Sequence, residues 1–348
     1  NAVDAAVATS FALSVVRPES CGIGGGGFMI IRLRGDPRHG SRTVALDYRE
    51  RAPGAAAPGM FESLPEDASR VTGHAVAVPG TVAGLLHALD RYGTLGRATV
   101  LAPAIRIADQ GYWSDAYLEG DLPALQRALD SNRRGAQASD TTLRRLYLQP
   151  AMNEGRRFIR NPEQAVALSL IAKQGAEAFY AGPIAEAIVR TVRETGGSMT
   201  APDLQSYRIT ESLPLTGTFR GRTILTMPLP SSGGITLLQI LRMLELRPDL
   251  LARASSTSGL YLQGLVESLK FAFADRAQYL GDPAFSVDPT RAMLSDTRLR
   301  ARAAAIDPGR TFPPAYYASV AALPDDSGTS HLCAVDRWGS AVACTETI

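Results

Sequence analysis

Four consecutive glycines, Gly24 to Gly27, end the stretch "CGIGGGG" near the start of the chain. The stretch follows small and apolar residues at helical spacing over 3–16 and precedes the β-rich segment "FMIIRLRG". A backbone without side chains over this length is expected where it passes so close to another element that any Cβ would clash. The glycine run therefore predicts a close approach between this loop and a neighbouring element of the fold.

The context of the glycine run argues against a nucleotide-binding role. Gly22, Gly24 and Gly27 satisfy the spacing G-x-G-x-x-G. The dinucleotide fingerprint requires a strand before the glycines and a helix after them, whereas here the predicted helix comes first. The chain also has no GK[ST] sequence of the kind found in phosphate-binding loops. The glycines are therefore interpreted as structural.

The order of the predicted elements indicates an α+β fold. The segments "FMIIRLRG" and "RTVALDYRE" form one predicted hairpin, and "LPLTGTFRGRTILTMP" forms another. The segment "HAVAVPGTVAGLLHALDRYG" is interpreted as a strand, a turn and a helix. Strands and helices alternate in blocks without a regular βαβ period, which favours antiparallel sheets covered by helices.

The composition argues against several kinds of partner. The 348 residues carry a formal net charge of +2, too small to indicate a polyanionic ligand. Arginine clusters such as "RRGAQASDTTLRR" lack interleaved aromatic residues, so no nucleic-acid partner is predicted. No apolar run reaches the length of a membrane span. The chain opens without an initiator methionine, so any targeting segment is expected upstream of it.

The three cysteines, Cys21, Cys333 and Cys344, show no Cys/His spacing typical of a zinc site, so no metal site is predicted. Cys333 and Cys344 fall on the paired strands of a predicted terminal hairpin. A disulfide between them is one alternative, and two buried thiols are the favoured interpretation.

The terminal hairpin is the segment that suggests chemistry. Two β-compatible runs, Thr329 to Val335 and Ser340 to Thr347, flank the turn sequence "DRWG". A type I turn with Gly339 in the left-handed bulge position suits this sequence and would place Asp336 opposite Ser340. In that register Thr329 faces Thr347, and a slip by one residue is the alternative.

A threonine nucleophile explains the hairpin better than a Ser-His-Asp triad does. Ser330 and His331 are adjacent on a strand and point to opposite faces, so they cannot readily pair. Threonine can instead use its own α-amine as the base once it becomes a chain terminus, because that amine titrates near pH ~8. Gly328 would let the backbone bend for attack by the Thr329 hydroxyl on the preceding carbonyl. The plain alternative is an ordinary edge hairpin that contains β-favouring threonines.

Nine segments in chain order carry a resemblance to a known family. They are "NAVDAAVATSFAL", "SCGIGGGGFMI", "LDYRERAP", "VAVPGTVAGL", "LAPAIRIADQGY", "GAEAFYAGPIAEAIV", "MPLPSSGGITLLQIL", "FADRAQYLGDP" and "GTSHLCAVD". Through them the chain resembles, nearly end to end, the gamma-glutamyltransferases (gamma-glutamyltranspeptidases or glutathione hydrolases), which are N-terminal-nucleophile hydrolases. The resemblance implies an α+β fold, namely the large-subunit portion of the αββα four-layer sandwich plus the first hairpin of the small subunit.

The resemblance also implies the subunits and the site residues. The family cuts itself before a threonine in a T-[ST]-H stretch, which maps the cleavage onto Gly328 and Thr329. Residues 1–328 would then belong to the large subunit and 329–348 to the start of the small subunit, with further site residues expected beyond Ile348. Thr347 maps onto a second catalytic threonine that hydrogen-bonds the nucleophile. Arg49 maps onto the arginine that binds the α-carboxylate of the glutamyl donor, a role that suits a planar guanidinium.

The activity implied by the resemblance is hydrolysis or transfer of γ-glutamyl groups. The partners would be a glutathione-like γ-glutamyl donor and water or an amine acceptor, handled by a heterodimer of large and small subunits after self-cleavage. No metal or organic cofactor is expected, and the family suggests a periplasmic or secreted protein. Ser231 and Ser232 in "PLPSSGG" are interpreted as turn residues rather than nucleophiles.

Three alternatives remain open at this point. The first is a cephalosporin or glutaryl acylase on the same scaffold, and the second is an enzyme that processes poly-γ-glutamate. The third is a binding protein without catalytic activity. Arg49 favours a donor with an α-carboxylate and hence a γ-glutamyl substrate.

Overall fold

The computed structural model describes residues 1–130, 138–251, 258–317 and 328–348. The chain divides into two compact units. The first comprises Asn1–Arg42, Leu46–Glu211 and Ser327–Ile348, and the second comprises Thr43–Ala45 and Ser212–Asp326, in each case as far as the residues are described.

The first unit contains helices and two sheets. Its helices are α1 (Ala2–Val16), α2 (Ala68–Val71), α3 (Thr81–Tyr92), α4 (Arg97–Gln110), α5 (Ala116–Asp130), α6 (Ala138–Leu143), α7 (Pro162–Gln174), α8 (Ala176–Tyr180), α9 (Pro183–Glu194) and α10 (Ala201–Gln205), with a 3₁₀ turn at Gly73–Ala75 and a π-helical turn at Arg144–Leu148. Its strands are β1 (Gly26–Asp36), β2 (Gly40–Tyr48), β3 (Tyr112–Trp113), β4 (Met152–Asn153), β5 (Arg156–Ile159) and β6 (Thr210–Ser212), followed near the end of the chain by β9 (Thr329–Val335) and β10 (Ala341–Thr347). Within these strands, Thr43–Ala45 of β2 and Ser212 of β6 are grouped with the second unit.

The five-stranded sheet has the order β6-β2-β1-β10-β9, and the smaller sheet has the order β3-β5-β4. The terminal hairpin therefore pairs with β1, although more than 300 residues separate them in sequence; Gly26 lies opposite Thr347. Both the β1–β10 and the β10–β9 pairings are antiparallel. The prediction of antiparallel sheets in an α+β fold is confirmed.

The second unit consists of one hairpin and a group of helices. The hairpin joins β7 (Leu215–Phe219) to β8 (Arg222–Thr226), and the helices are α11 (Gly233–Glu245), α12 (Pro248–Leu251), α13 (Gly259–Tyr279), α14 (Thr290–Met293), α15 (Asp296–Ala304) and α16 (Pro314–Tyr317). The amide of Ser231 donates to the Pro228 carbonyl at 3.2 Å, and the hydroxyl of Ser232 accepts from Arg276 at 2.8 Å. Ser231 thus closes a turn, and Ser232 lies at the N-cap of α11. Among the helices that the structure describes, none combines the length and apolar content needed to cross a bilayer.

Helix α1 covers one face of the five-stranded sheet. It begins at a capping box, in which Asn1 accepts from the amide of Asp4 at 3.0 Å and Asp4 accepts from the Asn1 amine at 2.7 Å. Val3, Val7 and Phe11 are buried along the helix. Opposite it, alternate residues of β10 are fully buried, whereas the residues between them keep partial exposure. The sheet thus has one face packed against helices and one face that remains partly exposed in this chain.

Two expectations from the sequence are corrected. The segment before Pro79 is not a strand, because a 3₁₀ turn at Gly73–Ala75 interrupts it and only Val78 forms an isolated bridge, to Arg51. The cysteines are all free, but Cys333 is exposed rather than buried. It lies on the partly exposed face of the sheet, and Cys344 lies on the buried face, so strand alternation separates the two thiols and excludes a disulfide.

Candidate active site

The terminal hairpin has the predicted register. The turn is closed by the Gly339 amide, which donates to the Asp336 carbonyl at 3.0 Å, and Gly339 has a φ of +85°. Thr329 lies directly opposite Thr347. Strand β10 begins at Ala341, one residue later than predicted, and the Ser340 hydroxyl accepts from the Arg34 amide at 3.0 Å.

The carbonyl group before Thr329 accepts a hydrogen bond from the opposite strand. In the uncut chain the Thr347 hydroxyl donates to the Gly328 carbonyl oxygen at 3.0 Å. The family resemblance implied a bond from Thr347 to the nucleophile itself, whereas here the partner is the carbonyl that the nucleophile would attack. A donor at this oxygen stabilises the negative charge that develops there during attack. The geometry therefore suits an acyl transfer from Gly328 to the Thr329 hydroxyl.

Gly328 occupies a backbone conformation that favours glycine. Its φ of +101° lies in the left-handed region, and an added Cβ would lie 3.0 Å from the Glu19 carbonyl oxygen. The residue thus turns the chain sharply at the point where the sequence predicts cleavage.

The glycine run packs against the end of β10, as the sequence predicts. A Cβ on Gly25 would lie 1.9 Å from the backbone oxygen of Thr347, and a Cβ on Gly27 would lie 2.4 Å from that of Thr345. The Gly25 carbonyl accepts from the amides of Gly80 and Thr81, at 2.8 Å and 3.0 Å, and so ties the loop to the start of α3. The predicted close approach is confirmed, and its partner is the strand that carries Thr347.

Arg49 follows the end of β2, which β1 separates from the strand that carries Thr347. A Cβ on Gly26, the cross-strand partner of Thr347, would lie 2.7 Å from the Tyr48 carbonyl oxygen and 2.8 Å from the Glu50 amide nitrogen, so the backbone around Arg49 passes beside this glycine. The Arg49 carbonyl accepts from the Tyr207 hydroxyl at 2.9 Å.

The side chain of Arg49 is exposed, with its guanidinium carbon 5.9 Å from the centre of the Phe28 ring. No carboxylate in the described part of the chain forms an ion pair with it. An exposed guanidinium without a carboxylate partner can bind the carboxylate of a ligand.

The neighbours of Thr329 on β9 exclude a Ser-His-Asp triad. His331 contacts the Thr345 hydroxyl through Nδ1 at 2.7 Å and the Cys333 thiol through Nε2 at 3.3 Å. Ser330 points to the other face of the sheet, where its hydroxyl lies 2.9 Å from that of Ser20. Asp336 binds the amides of its own turn. The sequence argument against the triad is confirmed.

Sequence reasoning missed a buried carboxyl group behind the two threonines. Glu346 precedes Thr347, is 3% exposed, and its Oε1 accepts from the Tyr48 hydroxyl at 3.3 Å. Burial raises the pKa of the Glu346 carboxyl to about 7. The signal in the sequence was the run Thr345-Glu346-Thr347. Strand alternation places the side chain of this glutamate on the face opposite to that of the two threonines that flank it.

Comparisons with known proteins show which family the chain resembles. Residues 1–348 match the family model for gamma-glutamyltranspeptidase. The chain is 36% identical to the glutathione hydrolase proenzyme of Escherichia coli (strain K12), with 100% of this chain and 59% of that protein covered. It is also 36% identical to the acylase ACY 1 proenzyme of Pseudomonas sp. (strain V22), with 100% of this chain and 61% of that protein covered. The chain thus spans about three fifths of the length of these curated relatives.

A solved structure confirms the predicted fold. The gamma-glutamyltranspeptidase from Pseudomonas nitroreducens, complexed with L-DON, superposes with a TM-score of 0.80 at 35% identity and with 91% of both chains covered. The architecture is therefore that of the N-terminal-nucleophile hydrolases. Because the family model matches the whole chain and the relatives exceed 30% identity, the chain belongs to the gamma-glutamyltranspeptidase family.

Proposed function

We propose that the chain belongs to a proenzyme that cuts itself between Gly328 and Thr329 and then hydrolyses or transfers γ-glutamyl groups. The observation that carries the proposal is the hydrogen bond from the Thr347 hydroxyl to the Gly328 carbonyl oxygen, directly beside Thr329. Residues 1–328 would become part of the large subunit, and 329–348 would begin the small subunit. The two subunits would stay together as a heterodimer, because β9 and β10 pair within the same sheet as β1.

Self-cleavage proceeds in two steps in this proposal. The Thr329 hydroxyl oxygen attacks the Gly328 carbonyl carbon, the bond from that carbon to the Thr329 nitrogen breaks, and the hydroxyl proton ends on the released amine. An ester then joins Gly328 to the Thr329 side chain. Water hydrolyses the ester, which leaves a carboxylate on Gly328 and a free α-amine and hydroxyl on Thr329. The hydrogen bond from Thr347 supports the oxygen that becomes negative in the first step.

Turnover uses the new amine as its base. The Thr329 amine accepts the hydroxyl proton while the hydroxyl oxygen attacks the γ-carbonyl of the donor, and the leaving amine takes up a proton. The γ-glutamyl ester is then passed to water or to the amine of an amino acid or peptide. Since the base is part of the chain, this scheme uses no metal or organic cofactor. Donors such as glutathione would supply the γ-glutamyl amide.

Replacement of Thr347 by valine is expected to slow self-cleavage by roughly 10²- to 10³-fold, the usual cost of losing one donor to an oxyanion. Valine keeps the volume and the β-branching but removes the hydroxyl. The measurement is a time course of intact mass, in which the wild-type protein gives two chains, the second beginning with Thr329. Thr347→Ser keeps the donor and should cleave at nearly the wild-type rate. Cleavage of the valine variant at the wild-type rate would contradict the role, and an uncut wild type would favour the non-catalytic alternative.

Replacement of Arg49 by methionine is expected to lower kcat/KM for a γ-glutamyl anilide by about 10- to 100-fold, because a charged hydrogen bond to the donor carboxylate contributes about 1.5–3 kcal/mol. The loss should lie mainly in KM. Self-cleavage is the internal control, because that step involves no γ-glutamyl substrate and its rate should not change. Equal kcat/KM values in the variant and the wild type would show that Arg49 does not bind the carboxylate.

The acylase alternative is supported by the similarity to an acylase proenzyme. A glutaryl anilide keeps the carboxylate of the γ-glutamyl anilide but lacks its α-amino group, so the pair of substrates separates the two activities. Faster release from the γ-glutamyl anilide supports the proposed function. Faster release from the glutaryl anilide would assign the protein to the acylases, and cleavage confined to a γ-glutamyl polymer would indicate polymer processing.

A further inference from the structure

The two residues beside the site threonines meet on the buried face of the sheet. Ser330, next to Thr329, and Glu346, next to Thr347, are direct cross-strand partners. Ser330 contacts the Ser20 hydroxyl at 2.9 Å, in the loop that leads to the glycine run. A Cβ on Gly27, the β1 partner of Glu346, would lie 3.1 Å from the Glu346 Cγ, so the glycine leaves room for this side chain. The side chains of Thr329 and Thr347 thus project from one face of the sheet, and those of Ser330 and Glu346 project from the other face, at the start of β9 and the end of β10.

The side chain of Glu346 is surrounded by neutral polar groups. The Tyr48 hydroxyl lies 3.3 Å from Glu346 Oε1 and 3.1 Å from the Cys344 thiol, and the Ser10 hydroxyl lies 3.7 Å from the same thiol. All three of these neighbours are at most 1% exposed. No lysine, arginine or histidine among the described residues forms an ion pair with Glu346.

The titratable groups that face Glu346 come from three elements. Strand β2 contributes Tyr48, β10 contributes Cys344, and the loop before the glycine run contributes Cys21; Ser10 of α1 and Ser330 of β9 do not titrate. Burial raises the pKa of Tyr48, Cys344 and Cys21, so all three remain neutral near pH 7. Glu346 is the member of this set whose charge changes near neutral pH, since burial raises its pKa to about 7.

We propose that Glu346 is a positioning residue that must be protonated to hold Thr347 against the Gly328 carbonyl; this inference rests on the proposed self-cleavage. As a neutral acid, Glu346 can both donate and accept hydrogen bonds within the buried set. Once ionised, it would place an uncompensated charge directly beneath the end of β10, and the strand would shift to admit water. The Thr347 hydroxyl would then lose its alignment on the carbonyl.

The direction of the pH effect follows from the raised pKa. An unfolded glutamate titrates near pH ~4.3, so the folded protein binds the proton more tightly than the unfolded chain does. The native arrangement is therefore most favourable at low pH and weakens as the pH rises from there through about 7. Self-cleavage is the cleanest readout, because the Thr329 nitrogen is still an amide in the precursor and does not titrate.

The test compares self-cleavage rates of the intact precursor and its Glu346→Gln variant from pH 5.5 to 8.5. Glutamine keeps the shape and cannot ionise. The ratio of the wild-type rate to the variant rate is expected to fall by about tenfold or more across this range, since about one tenth of a group with this pKa stays protonated one pH unit above it. Glu211→Gln is the matched control. Glu211 binds His87 and Tyr92, its pKa is lowered rather than raised, and its removal should leave the profile above pH 6 unchanged.

A second variant keeps the proposal testable if glutamine disturbs folding. Tyr48→Phe removes a hydrogen bond that favours the ionised carboxylate, so it should move the decline in self-cleavage to higher pH. Identical pH profiles in the wild type, Glu346→Gln and Tyr48→Phe would overturn the proposal while leaving the proposed function intact. Absence of self-cleavage in the wild type at every pH would instead overturn the proposed function.

Discussion

Replacement of Thr329 by alanine is expected to leave the protein as one uncut chain and to lower γ-glutamyl turnover by on the order of 10⁶-fold, the scale typical of the loss of a catalytic nucleophile. The change removes the hydroxyl that attacks Gly328 and, with cleavage blocked, also removes the amine that serves as base. Both losses follow from one side chain because the two steps share it. Intact mass, sequencing of the chain ends and release from a γ-glutamyl anilide would measure the outcome.

Two variants separate loss of the nucleophile from a disturbed hairpin. Thr329→Ser keeps a hydroxyl at the same place opposite Thr347 and should still produce two chains. Ser231→Ala removes a hydroxyl of the "PLPSSGG" turn, which belongs to the second unit, and should cleave and turn over normally. Two chains with normal turnover in the Thr329→Ala protein would end the assignment of Thr329 as the nucleophile.

Replacement of Gly25 by alanine is expected to destabilise the protein by about 3 kcal/mol or more and to abolish self-cleavage. The added Cβ would lie 1.9 Å from the Thr347 backbone oxygen, 2.9 Å from its carbonyl carbon and 3.0 Å from the Ile348 Cα. All three are backbone atoms, so no side chain can rotate away, and the end of β10 would have to shift. Thermal unfolding and the rate of appearance of the second chain would report the two effects.

Gly24 supplies the matched control for this prediction. It precedes Gly25, has no atom within 4 Å of the place where its Cβ would lie, and is not among the glycines with positive φ. Gly24→Ala should therefore change stability by less than about 1 kcal/mol and leave self-cleavage intact. A similar loss in both variants would contradict the role assigned to the contact between Gly25 and β10.

The sequence by itself determined the features that depend on short-range geometry. The "DRWG" turn and strand alternation favoured the register in which Thr329 lies opposite Thr347, with a slip by one residue as the alternative. The same alternation separated Ser330 from His331. The helix over 3–16 followed from residue spacing, and the glycine run indicated that another backbone lies close to it.

Only the tertiary structure decided that the backbone beside the glycine run is that of β10, and which face of the terminal hairpin is buried. Strand alternation predicts that the side chains of Thr347 and Glu346 point in opposite directions. The packing of α1 against β10 decides that Glu346 is buried and that Thr347 stays partly exposed. The pairing of β1 with β10 joins residues more than 300 positions apart, and it places β1 between Thr347 and the end of β2 that precedes Arg49. Such contacts depend on the mutual fit of surfaces that are distant in sequence, which no local pattern of residues encodes.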